Sequence, residues 1–364
     1  MANRYWVGGA GTWNTSSTTN WSATSGGASG ASVPTAADSV FFDQAGTYTV
    51  SCTGALTCLD FTVSAGTVTF AQGTSPSFAV SGSMSLVAAT VWNTTGTITF
   101  NATTTGKTVT TNGVVFVASI TFDGVGGGWT LGSALTQYTT SGAQYNVIVT
   151  NGTFSTGNFA ITTGRIASTG TGTRTVSLGS STITCKSVTL APFTFTGTGL
   201  TLNAGTSLIT VTSGGSINAQ SDYTLYDVTY TNGCTGFSLG AMTVHNLSLA
   251  ANAATYAGPA QAGTLITAGA TVTVTGTLTL GAIASPASSS RLLLRSTIVG
   301  TAATISAAAI TAGTTDWDFR DITITGAGAP LTGTRLGDAG RNSGITFPAA
   351  KNVYWNLPAG TSFS

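Results

Sequence analysis

Short runs in which Thr or Ser alternates with an aliphatic or aromatic residue recur along most of this sequence. They include TYTV, TVTF, TITF, STITC and ATVTVTGTLTL, and they are separated by segments such as NTTG, NATTTG and TNG. Successive side chains of a β-strand point to opposite faces, so this two-residue period predicts strands with one apolar and one hydroxylated face. Gly and Asn accept positive φ and suit tight turns. The chain is therefore expected to be all-β.

Charged side chains are scarce in this sequence. They make up 6% of it, whereas average soluble domains carry about 25%. The shortage of charged helix formers argues against coiled coils and helical bundles, and the abundance of β-branched residues argues against a disordered chain. A net charge of +1 without a basic stripe argues against a nucleic-acid partner. No apolar run reaches the ~18 residues of a membrane-spanning helix, so we expect no membrane insertion.

Many short strands at regular intervals are typical of sandwiches, propellers and solenoids. A propeller would show a fixed motif about every 40 residues, and the sequence has none. The pattern favours a right-handed parallel β-solenoid, with coils of roughly 20 residues stacked about 4.8 Å apart and about a dozen coils in all. Serial β-sandwich domains are the alternative. The Ala-rich segment 301–313 is interpreted as one more strand rather than a helix.

The aromatic start of the chain has a structural interpretation. The open ends of a solenoid expose unpaired strand edges that must be covered. The residues expected to form a plug over the first coil are Tyr5, Trp6, Trp13, Trp21, Phe41 and Phe42. Such rings would also suit a carbohydrate-stacking platform or a docking surface, and Trp355 in the closing NVYWN echoes the opening NRYWV. We therefore divide the chain into an aromatic cap or docking segment at 1–44, a β-solenoid at 45–313, and a charged terminal coil with an aromatic tail at 314–364.

Formal charges concentrate near the far end of the chain. The residues expected to form a structural ion-pair cluster are Arg291, Arg295, Asp316, Asp318, Arg320 and Asp321. On an unbroken strand, Asp316, Asp318 and Arg320 share one face, while Trp317 and Phe319 point inward. The charged face would then pair with Arg291, Arg295 or Arg335. Two carboxylates about 5 to 10 Å apart would also suit glycoside hydrolysis, but ion pairing is the preferred interpretation.

No other arrangement of residues predicts a reaction. His245 in MTVHNLSL has no acidic neighbour in sequence and is interpreted as an outward-facing residue. No zinc-ligand spacing, phosphate loop or periodic Asp repeat is present. We therefore expect a protein that is not an enzyme and that binds no metal or cofactor. The cysteines at 52, 58, 185 and 234 are expected to be buried thiols, with a disulfide between the first two as the alternative.

Several stretches resemble the Gly/Ser/Thr-rich β-solenoid repeat proteins that bacteriophages and some bacteria encode. These stretches are RYWVGGAGTWNTSSTTNW with the segment that follows it, LTCLDFTVSAGTVTF, RLLLRSTIVGTAATI, DFRDITITGAG and GRNSGITF. The chain is also loosely similar to the W-G-G-W-NW openings of autotransporter passenger repeats. The resemblance implies a virion surface protein of the tail-fibre, spike or capsid-decoration type, and it implies no catalytic motif.

These observations together predict a structural virion protein that contributes to host or glycan attachment. No signal peptide opens the sequence, so we expect synthesis in the host cytoplasm and a final place on the virion surface. The expected partners are further copies of the chain in a homotrimer, other virion proteins, and cell-surface glycans. The alternative is a bacterial surface adhesin or filament subunit with an extracellular location, and a polysaccharide depolymerase is the third hypothesis.

Overall fold

The structure is a computed structural model. It describes residues 1–137, 139–140, 143–186, 191–212, 215–219, 221–231, 238–249, 264–281, 292–312 and 316–349. These residues form 39 β-strands and no helix. They therefore contain no helix that could cross a membrane.

The first third of the chain contributes short strands. They are Asn3–Trp6 (β1), Gly11–Trp13 (β2), Trp21–Ser22 (β3), Ser39–Phe42 (β4), Thr47–Cys52 (β5), Ala55–Cys58 (β6), Phe61–Val63 (β7), Thr67–Gln72 (β8), Ser77–Val80 (β9), Met84–Ser85 (β10), Val91–Asn93 (β11), Ile98–Phe100 (β12) and Lys107–Thr110 (β13).

The middle third contains two longer strands among short ones. Its strands are Val115–Phe116 (β14), Ile120–Leu131 (β15), Leu135–Gln137 (β16), Thr139–Thr140 (β17), Ala143–Gln144 (β18), Asn146–Ser155 (β19), Ile161–Thr163 (β20), Arg165–Ser168 (β21), Arg174–Ser177 (β22), Thr182–Cys185 (β23), Phe193–Phe195 (β24), Leu200–Asn203 (β25), Leu208–Val211 (β26) and Ile217–Ala219 (β27).

The last third alternates long and short strands. Its strands are Thr224–Tyr230 (β28), Ser238–Leu239 (β29), Met242–Leu249 (β30), Thr264–Ile266 (β31), Thr271–Leu280 (β32), Leu292–Ser296 (β33), Ala303–Ala312 (β34), Trp317–Arg320 (β35), Ile322–Thr325 (β36), Leu331–Thr332 (β37), Leu336–Asp338 (β38) and Ile345–Thr346 (β39). The segment 301–313 therefore contributes a strand, as predicted.

Nearly all of these strands pair in parallel with the strand one coil further along the chain. One ladder runs from β1 through β4, β7, β10 and β13 to β25, a second from β2 through β5, β8 and β11 to β36, and a third from β6 through β9 and β12 to β38. The first and third ladders belong to one sheet because β15 and β19 run through both of them. This parallel β-solenoid confirms the predicted fold class and excludes serial sandwiches.

The coils vary in length more than the sequence pattern predicted. Val147 pairs with Ile166 one coil later, a step of 19 residues, whereas Thr264 pairs with Leu294, a step of 30 residues. The chain makes about 11 turns. At about 4.8 Å per coil, these turns form a rod on the order of 50 Å long.

Inward-pointing apolar side chains stack in continuous columns along the axis. The column on the third ladder consists of Leu56, Phe78, Ile98, Ile120, Val147, Ile166, Phe193, Ile217, Leu239 and Ile266. Every member is buried. Because burying one such side chain contributes about 1.5–3 kcal/mol, the columns supply the main stabilisation of the rod.

An aromatic cluster lies at the N-terminal end of the solenoid. Trp6, Trp13, Trp21 and Phe42 are all buried, and the Trp6 and Trp13 rings pack edge-on against Trp21 at centroid distances of 5.1 and 5.3 Å. Strand β3 also returns antiparallel to β1, pairing Trp6 with Trp21, so the open edge of β1 is covered. The predicted buried aromatic cap is therefore confirmed.

Tyr5 and Phe41 differ from the predicted plug. They alternate with Trp6 and Phe42 along β1 and β4, so they lie on the outer side of these strands and are half-buried. Their rings stack on each other at a centroid distance of 4.9 Å. The prediction that they pack inside the plug was wrong because strand alternation places neighbouring residues on opposite faces.

The described cysteines are free thiols in the core. Cys52, Cys58 and Cys185 are buried and form no disulfide. Burial raises the pKa of Cys52 and of Cys185 to about 12 and also raises the pKa of Cys58. The expectation of buried thiols is therefore confirmed for these three cysteines. Cys234 lies outside the described residues.

One solenoid corner is held by a buried arginine. Arg174 begins β22 with the same inward parity as Val176, and its side chain is only 1% exposed. Its Nε donates to Ser168 Oγ at 2.7 Å, and its terminal nitrogens donate to carbonyl oxygens at 2.7–3.2 Å on Gly170, Gly172, Thr196 and Thr198. All five N–H groups are thus used.

The Arg174 contacts join two successive coils. Two of the carbonyl acceptors lie in the turn before β22, and two lie in the turn one coil later. Gly197 in the later turn has φ of 93°, and a Cβ there would overlap the Gly170 carbonyl oxygen. The glycine therefore allows the two turns to approach, and the guanidinium fills the polar space between them.

We expect Arg174→Ala to lower the free energy of unfolding by about 3 kcal/mol, because buried acceptors lose their donors. Urea unfolding followed by circular dichroism measures this change. Arg174→Lys should lower the free energy of unfolding by less, since an ammonium can replace three of the five donors. The matched control is exposed Lys186→Ala, which should stay within about 0.5 kcal/mol of the native chain. Equal unfolding midpoints for Arg174→Ala and the native chain would contradict this role.

Candidate ligand-binding site

The long strands β28, β30 and β32 each turn a corner of the solenoid. In β28, Leu225 and Val228 point inward, and the two residues between them both lie outward, so the two-residue period is interrupted. The same interruption occurs in β30 between Val244 and Leu247, where the register with β32 also shifts. Doubled outward residues therefore project side by side from successive coils at this corner.

These doubled positions bring together Tyr226 and Asp227 from β28 and His245 and Asn246 from β30. We call these four residues the corner site. Asp227 pairs directly with Asn246 in the parallel ladder. The imidazole of His245 stacks on the Tyr226 ring at a centroid distance of 4.4 Å and an interplanar angle of 17°. Two aromatic rings and two polar groups are thus held on rigid strands.

Hydrogen bonds order the polar half of the corner site. Asp227 Oδ1 lies 3.1 Å from His245 Nδ1 and accepts from Asn246 Nδ2 at 2.9 Å. Asn246 Oδ1 accepts from the Thr277 amide at 2.8 Å. Because an ionised carboxylate only accepts, the proton of this His–Asp contact is on Nδ1. Nε2 is then an acceptor in the neutral imidazole.

The corner site keeps hydrogen-bonding capacity that the described residues do not use. No hydrogen bond within the described ranges reaches Asp227 Oδ2, the second Nδ2–H of Asn246 or His245 Nε2. The side chains of His245 and Asp227 are 40% and 32% exposed. Gly276 allows β32 to pack closely against this site, since a Cβ there would lie 2.5 Å from Asn246 Oδ1 and 3.2 Å from His245 Nε2. These groups are available to a ligand from solvent.

An open depression of about 310 Å³ runs beside the corner site. Its lining comes from successive coils and consists of Ala204, Gly205, Thr224, Leu225, Tyr226, His245 and Thr275. The small residues on one side and the ring pair on the other give it an apolar floor with hydroxyl groups at the rim. It is a place where a small ring could lie against an aromatic surface.

Two other depressions offer less recognition chemistry. One of about 520 Å³ lies over Gly126, Gly127 and Gly152 and includes Arg174, whose five N–H groups are already bonded to the protein. Another of about 250 Å³ lies beside Trp13 and Pro34. The corner site is therefore the strongest candidate among the described residues.

The aromatic residues singled out in the sequence lie elsewhere. Trp6, Trp13 and Trp21 are at most 2% exposed, so none presents a ring face on which a sugar could stack. Tyr5 retains some exposed surface beside Phe41. Trp355 lies outside the described residues, and its proposed docking role stays a prediction.

The charged residues near the end of the chain are organised around two buried carboxylates. Asp316, 6% exposed, lies 2.7 Å from Arg335 Nη2. Asp321, 1% exposed, contacts Arg341 Nε at 2.6 Å and Arg320 Nε at 3.7 Å. Both carboxylates therefore have arginine partners, an arrangement that suits a structural role.

The remaining members of the predicted cluster are placed differently. Trp317 and Phe319 are buried and Asp318 is half-buried, in line with strand alternation. Arg295 pairs in register with Arg320 rather than with a carboxylate, and no ion pair of Arg295 lies within the described part of the chain. An ion-pair ladder that includes Arg295 was therefore not found, and Arg291 lies outside the described residues.

Sequence reasoning missed the corner site because its acidic partner is distant in sequence. His245 has no acidic neighbour along β30, but Asp227 lies beside it one coil earlier. The available signal was the pair of interruptions LYDV and VHNL, in which two polar or aromatic residues separate inward apolar ones. The described residues contain no group of three or more His, Cys, Asp or Glu side chains that could hold a metal ion.

Asp321 generates a prediction about acid stability. The hydrogen bond from Arg341 lowers its pKa, with further lowering by the Gly300 amide and by both arginine charges against an opposing effect of burial. A depressed folded-state pKa contributes stability above the unfolded value near 3.8, and this contribution is lost as pH falls through the folded value. The stabilisation by Asp321 is therefore lost at pH values below about 4.

We expect Asp321→Asn to lower the melting temperature at pH 7 and to flatten its decrease between pH 5 and about pH 2. Asn tolerates the left-handed backbone at this position, where φ is 55°, so the change isolates the charge. Differential scanning calorimetry across this pH range gives the comparison. Asp222→Asn, at an exposed carboxylate, serves as the control. An acid profile for Asp321→Asn that parallels the native one would refute the contribution.

No protein-family model, curated protein or solved structure matches this chain. The β-solenoid is established by its own strand pairing, and the corner site is defined by its own contacts.

Proposed function

We propose that this chain is a structural protein on the surface of a bacteriophage particle, a fibre, spike or capsid-attached decoration that contributes to attachment to host glycans. The observation that carries this proposal is the solenoid of about 11 turns, whose described coils share one buried core. A rod of this kind acts as a rigid spacer that displays its side faces to the surroundings.

The outer faces of the rod support a role at an exposed surface. One outward column of the second ladder consists of Thr136, Thr162, Thr184, Thr210, Thr229, Ser248, Thr279 and Thr311. Hydroxyl groups keep such a face hydrated without a net charge. With a net charge of only +1, the rod would approach a charged cell envelope without strong repulsion.

The resemblance to phage-encoded Gly/Ser/Thr-rich repeat proteins supports the particle location. In this proposal three copies associate along their rods, and other virion proteins anchor them. Three copies would multiply weak glycan contacts through avidity. Light scattering on the purified chain should then give a mass three times that of a single chain, and a monomer mass at micromolar concentration would remove the trimer from the proposal.

Immunogold electron microscopy tests the location directly. An antibody raised against residues 51–290 is applied to a lysate of the source culture. We expect gold on the tails or shells of virus particles, and its position separates a fibre from a capsid decoration. Label confined to cell envelopes or extracellular filaments would overturn the virion proposal and identify a bacterial surface adhesin.

A further inference from the structure

We propose that the corner site and its depression bind one neutral pyranose ring of a glycan. This inference rests on the proposed role in glycan attachment and gives that role a position on the rod. It goes beyond that role by naming the residues, the class of sugar and the class that the site excludes.

The ring pair supplies the stacking surface. A pyranose has one face of C–H groups and a rim of hydroxyls, and the C–H face packs favourably on an aromatic ring. Tyr226 and His245 are stacked on each other and half-buried, so their orientation is set before a ligand arrives. Ala204 and Gly205 line the other side of the depression, and their small size leaves space for a sugar ring.

The polar half of the corner site matches the hydroxyl rim of a sugar. Asp227 Oδ2 is an acceptor, the second Nδ2–H of Asn246 is a donor, and His245 Nε2 accepts when the imidazole is neutral. Adjacent sugar hydroxyls both donate and accept, so a carboxylate and an amide side by side can bind two of them at once. A few fixed polar groups around an apolar surface are typical of small-ligand sites.

The charge of the site selects neutral sugars. The lining of the depression contains no Lys or Arg, and the charged partner beside the rings is the Asp227 carboxylate. An acidic sugar would bring a second carboxylate near Asp227, and the two like charges would repel each other. The volume of about 310 Å³ is at the small end of ligand sites, which suits a single ring.

Saturation-transfer difference NMR on the full chain tests this proposal. The probes are the methyl glycosides of glucose, mannose and galactose, with glucuronic acid as the acidic probe. We expect transfer to the ring C–H protons of at least one neutral glycoside, with a dissociation constant on the order of millimolar, and at least tenfold weaker binding of glucuronic acid.

Two variants and a control test whether the sugar binds at the corner site. Tyr226→Ala should weaken binding at least tenfold. Asp227→Asn keeps the shape of the side chain, so it should weaken neutral-sugar binding and reduce the discrimination against glucuronic acid, which a purely structural role would not change. Phe159→Ala removes another outer ring, one that is 40% exposed, and should bind sugar as the native chain does.

Three results would overturn the proposal: no transfer to any neutral glycoside, unchanged binding in folded Tyr226→Ala, or glucuronic acid bound as well as the neutral sugars. If Tyr226→Ala fails to fold, Asp227→Asn carries the test through the same probes. Immunogold labelling does not depend on sugar binding, so labelled particles without binding would refute only the site. Binding without labelled particles would refute only the virion location.

Discussion

Parallel hydrogen bonding from each coil to the next is the constraint on which the structure depends. It places every strand residue over its counterpart in the next coil, about 4.8 Å away. The type of side chain at one position is therefore repeated along the axis. Apolar residues form columns such as Phe193 over Ile217, and hydroxyl residues form outer columns. Charges repel when repeated in this way, as they would where Arg295 pairs with Arg320. The low charge of the chain follows from this geometry.

Features that depend on local alternation could be predicted from the sequence. The period of two identified the strands, the scarcity of charge pointed to stacked coils, and the need to cover an edge explained the buried indoles of Trp6 and Trp21. The same alternation also places Tyr5 on the outside, and applying it strictly would have removed that residue from the plug. The fold class and the first coil therefore follow from physics that acts within a few residues.

Features that depend on coil length could not be predicted in the same way. A contact between Asp227 and His245 exists only because the intervening coil returns to the same corner, and coils of 19 to 33 residues give no fixed period to reveal it. Arg174 presents the same problem, because its acceptors Thr196 and Thr198 belong to the next coil. Its parity with Val176 indicated an inward side chain, but not the carbonyls that would satisfy it.

Corners are where a solenoid can bind a ligand without losing its core. On a flat face every second side chain is needed inside, and the others are spaced about 7 Å apart along the strand. At the corner of β28 and β30 two consecutive residues face outward, so Tyr226 and Asp227 stand together, and the next coil adds His245 and Asn246 beside them. Because the two coils are stacked, these two pairs of residues form one site with an aromatic surface and a polar edge. Because coils differ in sequence while the ladder stays constant, such a site can change its ligand without changing the rod.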